Sequence, residues 1–341
     1  MIDELTQKLE LFFEHYKKYK YSSIATDKYI HNANKIFTLS LNYQLIIYKK
    51  KQVINEKKKC DSVFLIIPSI FNSPEILFIN PNISLIEYLR SSSDIYLINW
   101  LGVVNESFSL ENYVLEVINA LQYIYDKGVQ IDVIGHCIGG TIALGAAILQ
   151  SSLVKTLTLL TTPWDFSHFA TKVSAYQQLN VESFKTKRSF LPKIYMPILF
   201  FLLAPQHFSD KISKYFTLEF EQDKTIFFEI ERWLFSGNHI TSIVYSQITD
   251  QLVKENILVN EKWRIKNKII SPTHLDIPVF MLGASEDKLV PTISMNYLKN
   301  SIKDLTYFEI KGGHISYIVG NKIEYFIQIY KNWLKKEEQS E

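Results

Sequence analysis

Gly135-His136-Cys137-Ile138-Gly139-Gly140 places a thiol at the centre of a turn bracketed by glycines. The apolar run 131–134 leads directly into it, and the small-residue segment 141–147 follows. That order of strand, tight turn and helix is what a nucleophile elbow requires, because the central residue must project above the sheet at a strained backbone angle. Glycines are expected on both sides of it, where the turn and the new helix crowd each other. A thiol at a helix N-terminus beside an imidazole is drawn toward the thiolate, an intrinsically strong nucleophile. Cysteine stands here in the frame in which most esterases and lipases carry serine. The other cysteine, Cys60, has no such frame and reads as a small buried hydrophobe.

A nucleophile of this kind needs a base and an orienting acid, in the chain order nucleophile, acid, histidine. Among eight histidines, His314 is best placed, in Gly312-Gly313-His314 just after the last strand-like run. Asp287 is the expected acid, just beyond the run 279–282, with Glu286 as its rival. Both positions fall at carboxyl ends of strands, where open α/β sheets assemble their sites. The long interval from Cys137 to Asp287 accommodates an insertion, and the short one to His314 leaves room for one helix and one strand. His136 is expected to point away from the nucleophile as a packing or hydrogen-bonding residue. The backbone N–H of Ile138 should supply one oxyanion donor, and the loop 68–73 the second, from Phe71 or Ile70; Phe71 is the working choice. His168, His207, His239 and His274 lack metal-ligand spacing, and no HExxH, CxxC or phosphate loop occurs. No metal and no bound cofactor is therefore expected.

The elements that must position these residues are legible as short, nearly continuous apolar runs at 63–67, 95–98, 131–134, 157–160, 279–282 and 305–310. Runs of branched and aromatic residues without alternation suit strands buried on both faces. Ser84 with Glu87 forms a capping box for a helix over 85–90, and Ser109 caps another running to about Asp126, ended by Gly128. Strands alternating with helices predict a doubly wound, mostly parallel α/β sheet. The alternation lapses across 165–275, which is aromatic, rich in helix signals and interrupted by Pro192, Pro197 and Pro205. So long a stretch is no loop, and it reads as a helical cap insertion. The expected organisation is a helical N-terminal segment over 1–60, a catalytic core over 61–164 and 276–341, and the cap over 165–275. Within the first segment, residues 2–20 carry an amphipathic stripe of Leu5, Leu9, Phe12, Phe13 and Tyr16, read as a packed helix or a docking face.

Composition narrows the function class. The 341 residues are 47% hydrophobic and 21% charged, enough for a large core and against disorder. With 37 basic and 35 acidic side chains the net charge is +2, which offers no footprint for nucleic acid. The lysine runs at 49–51 and 57–59 read as solvated loop. Two cysteines make no disulfide framework, the N-terminus has no signal-peptide pattern, and the most apolar stretch, 194–203, is too short to span a bilayer. A cytoplasmic protein without a transmembrane segment is expected.

The ordered set of motifs resembles the poly(3-hydroxyalkanoate) synthases, in particular the short catalytic subunits of the two-component type. The resemblance spans most of 62–335. It runs through Pro68-Ser69-Ile70-Phe71-Asn72, Ser84-Leu85, Leu97-Ile98-Asn99-Trp100, the elbow 135–140, Thr162-Pro163-Trp164-Asp165-Phe166, Trp233-Leu234-Phe235-Ser236-Gly237-Asn238, Asp287 with Pro291, and Gly313-His314. The sequence departs from the family pattern at His136, Asn99 and Ser73. The resemblance implies an α/β-hydrolase fold and an acyltransferase. Cys137, activated by His314, would attack a 3-hydroxyacyl-coenzyme A thioester, and Asp287 would orient His314 while the polyester grows. It also implies a separate non-catalytic subunit as a partner and a location at the polyester granule surface; the apolar cap would suit a homodimer. Two other readings stay open, a thioesterase or polyester depolymerase with water as acceptor, and a non-catalytic binding protein on the same fold.

Overall fold

The computed structural model describes residues 28–51, 62–103, 105–169, 189–191, 193, 213, 215–319 and 322–340, together with residues 10–12, 14, 15 and 17. Cys60, the lysine run 57–59, the apolar stretch 194–203, His207 and the prolines at 192, 197 and 205 lie outside them, as does most of the amphipathic stretch 2–20.

All six apolar runs are strands of one eight-stranded sheet: β3 (Ser62–Ile67), β4 (Ile95–Trp100), β5 (Gln130–His136), β6 (Thr156–Leu160), β7 (Val279–Ala284) and β8 (Leu305–Ile310). These six pair in parallel. Two further strands, β1 (Lys35–Thr38) and β2 (Tyr43–Tyr48), form a hairpin that adds antiparallel to β4. The order across the sheet is β1-β2-β4-β3-β5-β6-β7-β8. This corrects the expectation of a helical segment over 1–60, whose described residues 35–38 and 43–48 are strands. Tyr43-Gln44-Leu45-Ile46-Ile47-Tyr48 is a β-prone run that closes one flank of the sheet, and five of its six residues are buried.

Because side chains alternate across a strand, each strand supplies two cores. Leu45, Val63, Leu65, Ile98, Val133, Leu157 and Met281 face α2 (Leu110–Tyr125) and α3 (Ile138–Leu149). Ile46, Phe64, Ile66, Leu97, Ile134, Leu160, Phe280 and Leu282 face α1 (Leu85–Leu89) and the C-terminal α5 (Ile323–Ser340). The helix ends follow their local chemistry. Ser84 Oγ accepts the Glu87 N–H at 3.0 Å, Ser109 and Asn112 form a reciprocal capping box, and Gly128 adopts a φ of +72° beyond α2. In the described part of 165–275, α4 (Glu221–Leu234) is the longest helix. Two-residue strand pairings link Ile240–Thr241 to Phe190–Leu191 and Arg264–Ile265 to Lys268–Ile269. Phe12 packs on Tyr215, Phe227 and Phe228, tying the N-terminal segment to α4. Among the described residues no helix is long and apolar enough to cross a membrane.

Candidate active site

The elbow forms as the residue pattern requires. Cys137 follows β5 directly and precedes α3 with φ +56° and ψ −133°, a conformation costly for a residue with a side chain and held only because its surroundings over-determine it. Its N–H donates to Leu160 O at 2.9 Å, and its carbonyl accepts the Gly140 N–H at 2.8 Å. Close approach explains two of the glycines. A Cβ on Gly135 would stand 2.4 Å from Gly140 Cα, and one on Gly140 would stand 1.9 Å from Thr162 Oγ1. α3 is thereby pressed onto β5 and β6, with its N-terminal N–H groups at the thiol.

The structure brings Asp287 and His314 to that thiol. His314 Nδ1 lies 2.7 Å from Asp287 Oδ2, and Cys137 is near enough to bear on the charge of the imidazole. The other carboxylate oxygen of Asp287 accepts the N–H groups of Leu289 and Val290, each at 2.8 Å, so both oxygens are engaged and the side chain has no exposed surface. Burial disfavours a charged His314, yet the neighbouring Asp287, joined by Cys137, outweighs it and holds the imidazole well above its ordinary range. Cys137, His314 and Asp287 thus stand together in the order that a nucleophile, a base and an orienting acid would need. Glu286 instead points outward, 56% exposed and 3.9 Å from Lys311.

Ile138 opens α3, which sets its backbone N–H at the elbow. The Phe71 N–H donates to Ser69 Oγ at 3.2 Å, so it must release that contact to serve as the second oxyanion donor. The loop carrying it is fastened to the end of α4. Asn72 Nδ2 donates to Trp233 O and Leu234 O at 3.3 and 3.1 Å, Trp233 Nε1 donates to Ser73 O at 2.8 Å, and Ser73 Oγ lies 3.0 Å from Ser236 Oγ. Cys137 itself is 7% exposed.

His136 does not reach the thiol; its ring packs 5.5 Å from the His314 ring and 6.2 Å from Tyr317. Burial, reinforced by His314, depresses its pKa to about 3, and its Nε2 is buried without a hydrogen-bond partner. His168 lies 4.0 Å from Asp165, and His239 contacts Leu191 O. Among the described residues no group of three or more potential ligands could hold a metal ion. Motif reading missed Ser69 and the pair Thr161 and Tyr317 beside His314; isolated hydroxyls carry no spacing signal that would have revealed them.

Residues 62–321 match a family model described as alpha/beta hydrolase fold. The chain is 23% identical over 296 residues to a poly(3-hydroxyalkanoate) polymerase subunit PhaC of Haloferax mediterranei, covering 81% of this chain and 60% of that one. It is 27% identical to a subunit of the same name from Thiocystis violacea, covering 76% of each. The chain thus spans about three-fifths of the length of the first of these relatives. Among solved structures, a Paleococcus ferrophilus monoacylglycerol lipase superposes with a TM-score of 0.54 at 14% identity, covering 86% of this chain and 99% of that one. MenH from S. aureus superposes with a TM-score of 0.56 at 12% identity, covering 88% and 100%. At such identities these structures speak for the fold alone.

Proposed function

The chain belongs to the alpha/beta hydrolase fold family, and from that premise we propose that it polymerises 3-hydroxyacyl-coenzyme A, with 3-hydroxybutyryl-coenzyme A as the favoured substrate, into a polyester with release of coenzyme A. The observation that carries the reading is a cysteine, not a serine, on an elbow whose imidazole is held by a buried carboxylate, in a chain similar to named polymerase subunits. A thioester substrate passed to a thiol keeps its acyl-transfer potential, which an ester on serine would partly lose.

In the first step the Cys137 thiolate attacks the substrate carbonyl. The oxyanion is met by the Ile138 N–H and by the Phe71 N–H once it leaves Ser69. Collapse breaks the carbon–sulfur bond to coenzyme A, and the leaving thiolate takes the proton held by His314. In the second step His314 removes the proton from the 3-hydroxyl of a further acyl unit or chain end. That oxygen attacks the acyl–Cys137 carbonyl, an ester forms, and the Cys137 thiolate returns. Asp287 holds His314 in one tautomer and orientation throughout. A non-catalytic partner subunit, a homodimer and a cytoplasmic location at a polyester granule surface belong to the same proposal.

The test is coenzyme A release from 3-hydroxybutyryl-coenzyme A, followed by sedimentation of any product. Thiol release with an insoluble polyester, both abolished in Cys137→Ala, is the expected result. Thiol release leaving only soluble 3-hydroxybutyrate would replace the polymerase reading with a hydrolase.

A further inference from the structure

β8 ends at Ile310, and His314 follows only after Gly312, with φ +139°, and Gly313. The proposed base thus sits where the chain has left the sheet ladder and crossed two residues of high backbone freedom. A general base works only if it is held within a few tenths of an ångström of its partner. The Asp287 carboxylate fixes the ring of His314, but the backbone beneath that ring needs its own restraint.

The Glu286 and Ser316 N–H groups hold the carbonyls of Gly312 and Gly313 at 2.9 and 3.0 Å; the carbonyl of His314 itself is met by the residue after β6. Thr161 is wholly buried and adopts φ +42°, a region that a β-branched residue enters only under strain. Its N–H completes the ladder by donating to Leu282 O at 2.8 Å. Its Oγ1 lies 3.4 Å from His314 O and 3.1 Å from the Tyr317 hydroxyl. Tyr317 is fully buried, and its burial outweighs the opposing hydrogen bond with Thr161 and keeps the phenol protonated. A protonated phenol can donate to Thr161 Oγ1, which leaves the threonine proton for the His314 carbonyl. The neighbouring Leu160 carbonyl accepts the Cys137 N–H. Two consecutive residues therefore hold the backbones of both the nucleophile and the base.

We propose that Thr161 is a positioning residue for the reaction: its strained backbone aims a hydroxyl, oriented by Tyr317, at the His314 carbonyl and so registers the imidazole against the Cys137 thiol. The inference rests on the reading of Cys137, His314 and Asp287 as a triad, but not on the identity of the substrate. Asp287, Cys137, His136 and Tyr317 are the titratable groups facing His314, and none of them is altered in Thr161 variants.

The test is the rate of Cys137 alkylation by iodoacetamide from acid to alkaline pH, in a Cys60→Ser background, with thermal midpoints measured alongside. Thr161→Val keeps the branched shape and loses the hydroxyl, and Tyr317→Phe removes the orienting donor. Each should slow alkylation at neutral pH by roughly three- to tenfold, the worth of one net hydrogen bond, and move the profile toward alkaline pH. Thr161→Ser keeps the hydroxyl and should restore the rate to within about twofold at a thermal midpoint like that of Thr161→Val. Wild-type profiles in both Thr161→Val and Tyr317→Phe, or a Thr161→Ser variant as slow as Thr161→Val, would overturn the proposal. Should Thr161→Val not fold, the Tyr317→Phe profile decides. If His314→Gln is alkylated as fast as wild type, it is the triad reading that fails.

Discussion

His314 Nδ1 stands 2.7 Å from an oxygen of Asp287 whose partner oxygen is already held by the N–H groups of Leu289 and Val290. The acid is thus locked by its own turn before it meets the histidine, and it can present only one lone-pair direction to the ring. Neutralising it while keeping its shape isolates that role. Asp287→Asn is expected to lower the rate of coenzyme A release on the order of 10⁴-fold, because the amide permits the wrong imidazole tautomer. Steady-state kinetics beside far-UV circular dichroism checks this, and near wild-type turnover would remove Asp287 from the mechanism.

The two packed histidines should give stability opposite dependences on pH. His136 is depressed to about 3 by burial and by His314. Its neutral form therefore stabilises the fold above the unfolded value of about 6.5, and that stability is lost as pH falls toward the folded value, by at most about 1.4 kcal/mol per pH unit. His314 is raised despite its burial, by Asp287 and Cys137. Its contribution is fully present below about pH 6.5 and is lost as pH rises through the folded value. Urea unfolding across pH should show most of the acid loss removed in His136→Gln, a smaller part of it removed in His314→Gln because His314 adds to the depression of His136, and the alkaline loss removed in His314→Gln.

The elbow should not tolerate a methyl group. In Gly135→Ala the new Cβ would meet Gly140 Cα at 2.4 Å, backbone against backbone, whereas in Gly140→Ala it would meet the Thr162 side chain. Overpacking of this kind costs about 1–3 kcal/mol where neighbours can yield. Gly135→Ala is expected to exceed that and Gly140→Ala to approach it, measured as loss of unfolding free energy in urea. Equal, negligible losses would mean that the turn relaxes in a way its close contacts do not suggest.

The parts of this molecule that could be read without coordinates were those with a local physical signature. β3 to β7 are buried on both faces, so their composition announces them, and the edge strand β8 is only partly buried but carries an equally branched and aromatic run. The elbow announces itself by glycines at fixed offsets from a reactive residue. β1 does not, because Lys35-Ile36-Phe37-Thr38 lies at the sheet edge with three of its four residues exposed. β2 is apolar enough to have been recognised, but it precedes a lysine-rich loop and was absorbed into a helical expectation. In the candidate site, Asp287 and His314 are legible as candidates because each occupies the turn after a strand. The packing of His136 on His314 joins residues far apart in the chain, and a φ of +42° at Thr161 has no signature in Thr161-Thr162-Pro163. Such features exist only once the sheet has brought β5, β6 and the His314 turn together.

The central claim is that Cys137 carries the acyl group. It is tested most directly by mass analysis of the protein quenched in acid during turnover of 3-hydroxybutyryl-coenzyme A, with peptide mapping of any adduct. The account predicts a 3-hydroxybutyryl group, or a short oligomer of it, on the peptide containing Cys137, lost in Cys137→Ala and accumulating in His314→Gln no faster than in wild type. An unmodified Cys137 in protein that is releasing coenzyme A, or an adduct that persists in Cys137→Ala, would contradict it.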